Sequence, residues 1–221
     1  MKFDKSKIDY TLYLVTDRRL MSCDTIEQSV EQAIEGGASI VQLREKDCSS
    51  REFYELALRV KKITQPKGVP LIINDRIDIC LAANADGVHL GQSDTPCRTA
   101  REILGNNKII GVSAALPEEA VQAQNDGADY LGVGAVFTTS TKTDTRAVSS
   151  DIIKKIRSAV TIPFVVIGGI NSDNIKQLYG LGINGAAVVS AIVAQNDITA
   201  AACEMRKAAE KNLRQHRTIN G

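Results

Sequence analysis

The sequence predicts an α/β fold in which eight parallel strands alternate with helices and close into a (β/α)₈ barrel. Three observations lead to this prediction. Short runs rich in β-branched residues recur eight times, and a segment with helical periodicity follows each run. A turn of nearly constant form joins helix to strand at four places. Aromatic residues make up only 4% of the chain, so aliphatic side chains must fill the core, as they do in parallel sheets.

The eight runs have the length expected of strands buried in a parallel sheet. They cover residues 12–16, 40–44, 71–74, 87–90, 109–113, 130–133, 164–167 and 186–189. Eight strand–helix units fill the 221 residues without a linker, and eight is the number that closes a TIM barrel. We therefore expect a single barrel domain over residues 1–221. An open, doubly wound sheet is the main competing fold, but no G-x-G-x-x-G motif follows the first predicted strand.

Capping residues mark where the helices should begin. Asp24, with a glutamate three residues later, can cap the first helix in a capping box, and Ser50 can cap the second. Pro117 is followed by two glutamates and opens a further helix. Asp151 and Asp173 lie near two later helix starts. Together these signals predict helices between the strands.

The chain passes from a helix to the next strand through nearly the same turn four times. The copies are GGASI at 36–40, NADGV at 84–88, DGADY at 126–130 and LGING at 181–185. A Gly or Asn just beyond a helix can adopt the left-handed conformation that ends it. The repetition therefore predicts a left-handed cap in each copy and supports repeated βα units.

Composition and charge narrow the class of protein. The 27 Lys and Arg residues nearly balance 26 Asp and Glu, so the chain lacks the basic excess of nucleic-acid-binding proteins. The first apolar run is far shorter than the roughly 20 residues that span a bilayer, and no signal-peptide pattern is present. Five scattered cysteines without C-x-x-C spacing argue against a disulfide framework and a zinc site. We expect a cytoplasmic protein with reduced thiols and neither a nucleic-acid nor a membrane partner; oligomeric state is open.

Two carboxylates follow neighbouring strands at the end of the barrel where (β/α)₈ enzymes build their active sites. Asp75 comes after the third predicted strand and Asp94 after the fourth. They are hard oxygen ligands of the kind Mg²⁺ prefers, and two of them leave positions for water and a substrate phosphate. The alternative interpretation is that each residue caps the helix that follows it.

Three cations, Arg44, Lys46 and Lys142, could surround one anionic group at the same end. In the alternative interpretation they form weak, solvated ion pairs with nearby acidic residues. The acidic candidates are Glu45, Asp47 and Asp144.

The loops after the last two strands are typical of a phosphate site. Gly168 and Gly169 follow the seventh strand and Ser190 opens the last helix, so backbone N–H groups could point at an anion. The glycine pair could instead serve close packing beneath a loop. Only two histidines exist, and we expect His89 to be a barrel-interior residue rather than a general base. Phosphate-dependent group transfer or isomerisation is the remaining chemistry.

Seven segments taken in order resemble the thiamin phosphate synthase family over nearly the whole chain, from Tyr13 to about Ala194. They are YLVTD at 13–17, QLREK at 42–46, INDR at 73–76, ADGVHLGQ at 85–92 leading to Asp94, GVSA at 111–114, TSTK at 139–142 and IGGI at 167–170.

The resemblance implies an enzyme that joins 4-amino-2-methyl-5-(diphosphooxymethyl)pyrimidine to 4-methyl-5-(2-phosphooxyethyl)thiazole, with Mg²⁺ as cofactor. It also implies a dissociative mechanism, in which diphosphate leaves before the thiazole nitrogen captures the pyrimidine methyl cation. The implied pyrimidine diphosphate ligands are Gln42, Leu43, Arg44, Glu45, Lys46, Asn74, Ser113 and Lys142. The implied metal ligands are Asp75 and Asp94, and the thiazole phosphate ligands are Thr139, Ser140, Thr141, Gly169, Val189 and Ser190. The implied catalytic side chains are Arg44, Lys142 and Ser113.

Two departures from the family pattern bear on this expectation. Ala115 and Leu116 stand where the family commonly has His-Thr, and Ala135 and Thr138 replace usual prolines around the sixth-strand loop. Substrate affinity or loop closure could differ as a result. Two other functions stay open at this point: a thiazole tautomerase on the same barrel, which would have little use for two metal-binding aspartates with Lys142, and a non-catalytic phosphate-ligand binder.

Overall fold

A computed structural model describes residues 4–138 and 147–219 of the chain. Eight parallel strands form a closed barrel in chain order, and the last strand pairs with the first. The strands are β1 (Leu12–Val15), β2 (Ile40–Leu43), β3 (Leu71–Asn74), β4 (Gly87–Leu90), β5 (Ile109–Ala114), β6 (Tyr130–Gly134), β7 (Phe164–Ile167) and β8 (Gly185–Val188). The predicted (β/α)₈ barrel is confirmed, and the open sheet is wrong.

Helices surround the barrel. They are α1 (Ile26–Glu35), α2 (Ser50–Thr64), α3 (Ile77–Ala82), α4 (Cys97–Leu104), α5 (Pro117–Asn125), α6 (Ser150–Ala159), α7 (Ser190–Val193) and α8 (Ile198–Ile219). As predicted, α5 begins at Pro117 and Asp151 lies in the first turn of α6. In the part of the chain that the structure describes, no helix combines the length and the apolar character needed to cross a bilayer.

The helix predicted after the seventh strand is wrong. A single 3₁₀ turn, Ile175–Leu178, stands between β7 and β8, and Asp173 precedes it. The Asn171 side chain accepts hydrogen bonds from the backbone N–H groups of Asp173 and Asn174. Gly180 and Gly182 then take positive φ angles. Because polar side chains and left-handed glycines turn the backbone at both ends, too little chain is left for an α-helix.

Two of the predicted helix caps are wrong by one residue. The cap of α1 is Thr25 instead of Asp24, and its hydroxyl accepts a backbone N–H in the first turn. The cap of α2 is Ser49 instead of Ser50, and it forms a capping box with Glu52. Both true caps have extended backbone. Adjacent residues here have similar capping ability, so the path of the preceding loop decides between them.

The repeated turn has the predicted left-handed residue in all four copies. The φ angles are 106° at Gly37, 48° at Asn84, 92° at Gly127 and 73° at Gly182. Each of these residues reverses the chain just before the next strand. The repeat in the sequence therefore corresponds to a repeated structural unit, as predicted.

Buried apolar residues form one cluster on each face of the sheet. The outer core packs the strands against the helices and contains aliphatic residues such as Val30, Leu56 and Ile153. The barrel interior is smaller and contains Tyr10, Tyr13, Val15, Ile40, Ile72, Ile109, Tyr130, Val165 and Ala187. Polar side chains lie above this interior cluster, at the carboxyl ends of the strands, where they form the site described next.

Candidate active site

A central pocket of about 170 Å³ opens at the carboxyl ends of the strands. Apolar side chains from β1, β7 and the loop after β7, including Val15, Val165 and Ile170, line part of it. It also brings together seven of the residues that the sequence singled out: Gln42, Arg44, Asn74, Ser113, Gly169, Val189 and Ser190. These residues come from the ends of β2, β3 and β5 and from the loops after β7 and β8, so the closed barrel is what makes them neighbours.

A second, charged cleft of about 290 Å³ lies beside the central pocket, between the loops after β1 and β2. Glu45 and Lys46 line this cleft, whereas Arg44 lines both cavities and joins them. Leu43 lines neither, because its side chain points away from the barrel axis and is buried in the outer core. Only its backbone could touch a ligand in the central pocket.

The cations at this end have carboxylate partners on neighbouring loops. Arg44 Nη1 lies 3.0 Å from Asp17 Oδ2, and Lys46 Nζ lies 3.0 Å from Asp75 Oδ2. For Arg44 and Lys46, the predicted ion-pair alternative is therefore right about pairing but wrong about the partners, whereas Lys142 lies outside the described residues. Glu45 and Asp47 pair instead with two arginines of the β1 loop, Arg18 and Arg19. Asp144 lies outside the described residues.

Glu45 is unusual among these acidic residues because its side chain is only 5% exposed. Its Oε2 accepts from Arg18 Nε at 3.1 Å. Its Oε1 is buried without a hydrogen-bond partner among residues 4–138 and 147–219. A buried acceptor of this kind is costly unless a ligand or water supplies a donor.

Asp75 and Asp94 form a pair of carboxylates at the ends of β3 and β4. Asp75 has a left-handed backbone with φ of 64°, and its N–H donates to the carbonyl of His89 at 2.8 Å. Asp94 Oδ2 accepts from the N–H of Gly91 at 2.7 Å. Burial raises the pKa of Asp94 above its usual value and the Asp75 carboxylate adds to the rise, although the Gly91 N–H and Lys46 oppose it. The two carboxylates therefore repel each other at close range.

The helix-cap interpretation of these two aspartates is wrong. The residue at the start of α3 is Arg76 and the residue at the start of α4 is Pro96, and neither helix has a side-chain cap. Asp75 is held instead in a conformation that costs a non-glycine residue about 1–3 kcal/mol. Strain of that kind, beside a second carboxylate, is typical of a functional position.

The glycine pair after β7 has a packing role. Gly168 and Gly169 have φ angles of 104° and 63°. A Cβ atom on Gly169 would lie 2.5 Å from the carbonyl oxygen of Thr138, and one on Gly168 would lie 2.5 Å from the Cβ of Ala135. The packing interpretation is therefore confirmed. It does not conflict with a phosphate site, because the glycine pair also lines the central pocket.

Two tyrosines that sequence reasoning missed lie beneath the predicted residues. His89 is in the barrel, as expected, and its ring nitrogens lie 3.0 Å from Tyr130 Oη and 3.0 Å from Ser113 Oγ. Tyr13 Oη lies 2.7 Å from Tyr130 Oη and accepts from Gln42. The available signal was a pair of glycines within the fifth and sixth strands, which leave room for large rings in a barrel interior.

Some predicted residues cannot be located in this way. Thr139, Ser140, Thr141 and Lys142 lie outside the described residues. Ala115 and Leu116, which depart from the family pattern, lie just before α5, where their N–H groups donate to the Glu119 carboxylate. Ala135 lines the central pocket, so this departure lies closer to the site than the other.

Comparisons with known proteins agree on one family. The sequence profile described as thiamine monophosphate synthase matches residues 12–192. A thiamine-phosphate synthase from Ruminiclostridium cellulolyticum is 62% identical over 198 residues, which are 90% of this chain and 94% of that protein. One from Clostridium beijerinckii is 57% identical over 202 residues, which are 91% of this chain and 97% of that protein.

Solved structures agree with these sequence matches. A thiamine phosphate pyrophosphorylase from Pyrococcus furiosus superposes with a TM-score of 0.86 at 41% identity, covering 93% of this chain and 98% of that one. A 3-hexulose-6-phosphate synthase superposes with a TM-score of 0.66 at 20% identity, covering 90% and 99%. At that identity the second match shows the fold alone.

Proposed function

Since the chain belongs to the thiamine monophosphate synthase family and is a transferase that makes thiamine phosphate, we propose that its central pocket joins the two substrates with the help of Mg²⁺. These are a pyrimidine bearing a diphosphate and a thiazole bearing a phosphate. The observation that carries the proposal is the pair Asp75 and Asp94 beside Lys46, next to a pocket that holds Asn74 and Ser113. We also propose that residues 1–221 form one domain, and that it acts in the cytoplasm without a nucleic-acid or membrane partner.

The two carboxylates suit a magnesium ion. Mg²⁺ is commonly bound through one or two carboxylates, with water and substrate phosphate completing an octahedron. The raised pKa of Asp94 reflects burial and repulsion by Asp75, and a divalent cation between the two would relieve that repulsion. When bound, the ion would neutralise charge on the leaving diphosphate. Asp75 and Asp94 would hold it, and the strained backbone of Asp75 keeps that carboxylate in place.

Arg44 and Lys46 would bind the diphosphate. Both are tied to carboxylates, Asp17 and Asp75, at 3.0 Å. Arg44 connects the central pocket to the charged cleft, so a diphosphate between the two cavities could exchange these partners for its own oxygens. Glu45 and the backbone of Leu43 would lie along the same segment, and Lys142 would add a third positive charge.

The thiazole phosphate would bind on the opposite side of the pocket. Gly169, Val189 and Ser190 line that side, and the positive φ of Gly169 turns its backbone in a way that other residues rarely adopt. Backbone N–H groups suit a phosphate without adding a competing side chain. Thr139, Ser140 and Thr141 would supply hydroxyl groups to the same phosphate.

The remaining catalytic task is to hold two rings in contact and keep water away. Gln42, Asn74 and Ser113 offer polar atoms to the pyrimidine, while Val165, Ile167 and Ile170 cover apolar surface. Fixing both rings at attack distance converts an encounter in solution into a step within one complex. An apolar wall also protects a cationic intermediate from capture by water.

The decisive experiment is to incubate the purified protein with both substrates, with and without Mg²⁺, and to measure thiamine phosphate and diphosphate. We expect both products in equal amounts and only when the metal is present. Equal product formation after thorough chelation would contradict the metal assignment. Binding of the thiazole phosphate with no diphosphate release would contradict the proposed reaction and favour a tautomerase or a binding protein.

A further inference from the structure

A continuous chain of hydrogen bonds crosses the barrel interior at the base of the central pocket. Gln42 Nε2 donates to Tyr13 Oη at 2.9 Å, and Tyr13 Oη lies 2.7 Å from Tyr130 Oη. Tyr130 Oη lies 3.0 Å from His89 Nδ1, and His89 Nε2 lies 3.0 Å from Ser113 Oγ. Gln42 and Ser113, at the two ends of the chain of hydrogen bonds, line the pocket, and so do Tyr13 and His89 between them. The two tyrosines and His89 therefore link two pocket residues on different strands.

Two glycines in neighbouring strands leave room for the rings of Tyr130 and His89. A Cβ atom on Gly111 would lie 2.1 Å from Tyr130 Cζ, and a Cβ atom on Gly132 would lie 2.9 Å from His89 Cε1. Real Cβ atoms do not come that close, so any other residue at Gly111 would displace the Tyr130 ring. Tyr10 also packs against Tyr130, with ring centroids 5.3 Å apart. The ring positions are thus fixed from several sides.

In one direction along this chain of hydrogen bonds, every hydroxyl and ring nitrogen can have a suitable donor or acceptor as its partner. The Gln42 amide nitrogen only donates, so Tyr13 accepts there and must place its own proton on another atom. Tyr130 Oη is the acceptor within reach, and Tyr130 then donates to His89 Nδ1. A neutral imidazole that accepts at Nδ1 carries its proton on Nε2. His89 Nε2 then donates to Ser113 Oγ, and Ser113 keeps its own proton for the pocket.

The opposite direction is unfavourable. If His89 donated from Nδ1 to Tyr130, and Tyr130 donated to Tyr13, then Tyr13 Oη would accept from both Tyr130 and Gln42 Nε2, and neither partner could accept the Tyr13 proton. Tyr13 is only 1% exposed, so leaving its proton without an acceptor would be costly. Burial raises the pKa of Tyr13 and of Tyr130 above their usual range, so both phenols keep their protons.

We propose that Tyr13 and Tyr130 are positioning residues that hold His89 as its Nε2–H tautomer, so that Ser113 offers a hydrogen-bond donor and Gln42 an acceptor to the substrate. A ring with an amino group and a basic ring nitrogen has the complementary acceptor and donor. This interpretation of the ligand rests on the proposed function, whereas the tautomer does not. Tyr13 and Tyr130 act through Gln42, His89 and Ser113 and need not touch the reacting atoms.

The test uses ¹⁵N NMR of the histidine side chains, which needs no substrate. The chain has only two histidines, so His216→Gln assigns the His89 signals. We expect a protonated Nε2 and an unprotonated Nδ1 in the protein without ligands. A proton on Nδ1, or on both nitrogens, at neutral pH would overturn the proposal, whether or not the protein makes thiamine phosphate.

Two matched variants test the role of the chain of hydrogen bonds. Tyr130→Phe removes the donor to Nδ1, so we expect a mixture of His89 tautomers and a fall in kcat/KM of about tenfold or more. Tyr10→Phe removes a hydroxyl from the neighbouring ring, outside the chain of hydrogen bonds, and we expect neither change. An unchanged tautomer in Tyr130→Phe would overturn the proposal. If Tyr130→Phe fails to fold, the tautomer of His89 in the unsubstituted protein still decides the proposal.

Discussion

The outer core and the barrel interior are built from different side chains, although the same strands supply both. The outer core packs aliphatic residues such as Val60, Leu71 and Ile156 against the helices, and these are fully buried. The interior holds three buried tyrosines and has polar side chains at its carboxyl end. Alternation of side chains along each strand allows this division. Stability therefore comes mainly from the outer core. The side chains at the carboxyl end of the interior are available for binding and catalysis.

The largest expected effect is on stability, from a substitution in the outer core. Phe53 of α2 is 2% exposed, and Phe53→Ala should lower the free energy of unfolding by about 3–5 kcal/mol, because it leaves a cavity in a packed layer. The folded enzyme should keep nearly normal kcat. Urea denaturation measures the loss, and Glu55→Ala, at an exposed position on the same helix, is the control. A loss below about 1 kcal/mol would contradict the division of roles.

The next effect is on activity, from a substitution at the end of the barrel. Asp94→Asn should lower kcat by about 10²–10³-fold, since it removes charge from the carboxylate pair. The midpoint of urea denaturation should change little, because removing one of two repelling carboxylates costs little stability. Steady-state kinetics at saturating Mg²⁺ measures kcat. Asp151→Asn, exposed in the first turn of α6, is the control, and an equal loss in both variants would refute the site.

A substitution inside the barrel should lower both stability and activity. Each loss should be smaller than those expected for Phe53→Ala and Asp94→Asn. Tyr13→Phe keeps the ring but leaves the Gln42 amide without its acceptor. We expect it to cost about 1 kcal/mol of stability and to lower kcat/KM by about tenfold. Tyr54→Phe, at a half-buried position of α2 that packs against the outer core, should change neither quantity. A stability loss as large as that of Phe53→Ala would mean that the interior is also a main source of stability.

The smallest effect is on thiol reactivity. Burial raises the pKa of Cys80 to about 12 and that of Cys97 to about 11, and both lie in the outer core. Because the thiolate is the reactive form, only about one Cys80 in 10⁴ is ionised at pH 8, and reactivity should appear only as the pH rises. Cys23 and Cys203 are half-buried and should react first. Thiol titration of the native protein and of the protein in urea measures the reaction rates of these cysteines. Fast labelling of Cys80 in the native protein at pH 8 would contradict the prediction and would show that the outer core opens readily.

The fold could be predicted because its signals are local. Each strand is a short β-branched run, and Gly37, Asn84, Gly127 and Gly182 mark the turns by a conformation that few residues adopt. The wrong helix caps are at positions where adjacent residues have similar capping ability. Asp24 and Thr25 can both cap a helix, and only the path of the loop selects one.

The site could be predicted in its residue types but not in its pairings. Strand ends such as Asn74 and Ser113 converge because the barrel closes, which follows from counting eight strands. The partners of Arg44 and Lys46 join different loops, so spacing along the chain does not give them. Tyr13 was missed because a tyrosine in a strand is also an ordinary core residue. Only its contact with Gln42, on another strand, reveals its role.

Closure of the barrel has a consequence during protein synthesis. Leu12 of β1 pairs with Ala186 of β8, whereas every other pairing in the barrel joins two strands that are consecutive in the chain. One edge of β1 therefore stays unpaired until the ribosome has added the last strand. At about 5–20 residues per second, this wait lasts on the order of ten seconds. For that time the nascent chain has an open sheet edge that can pair with other chains, so chaperones that shield such edges should raise the yield of folded protein.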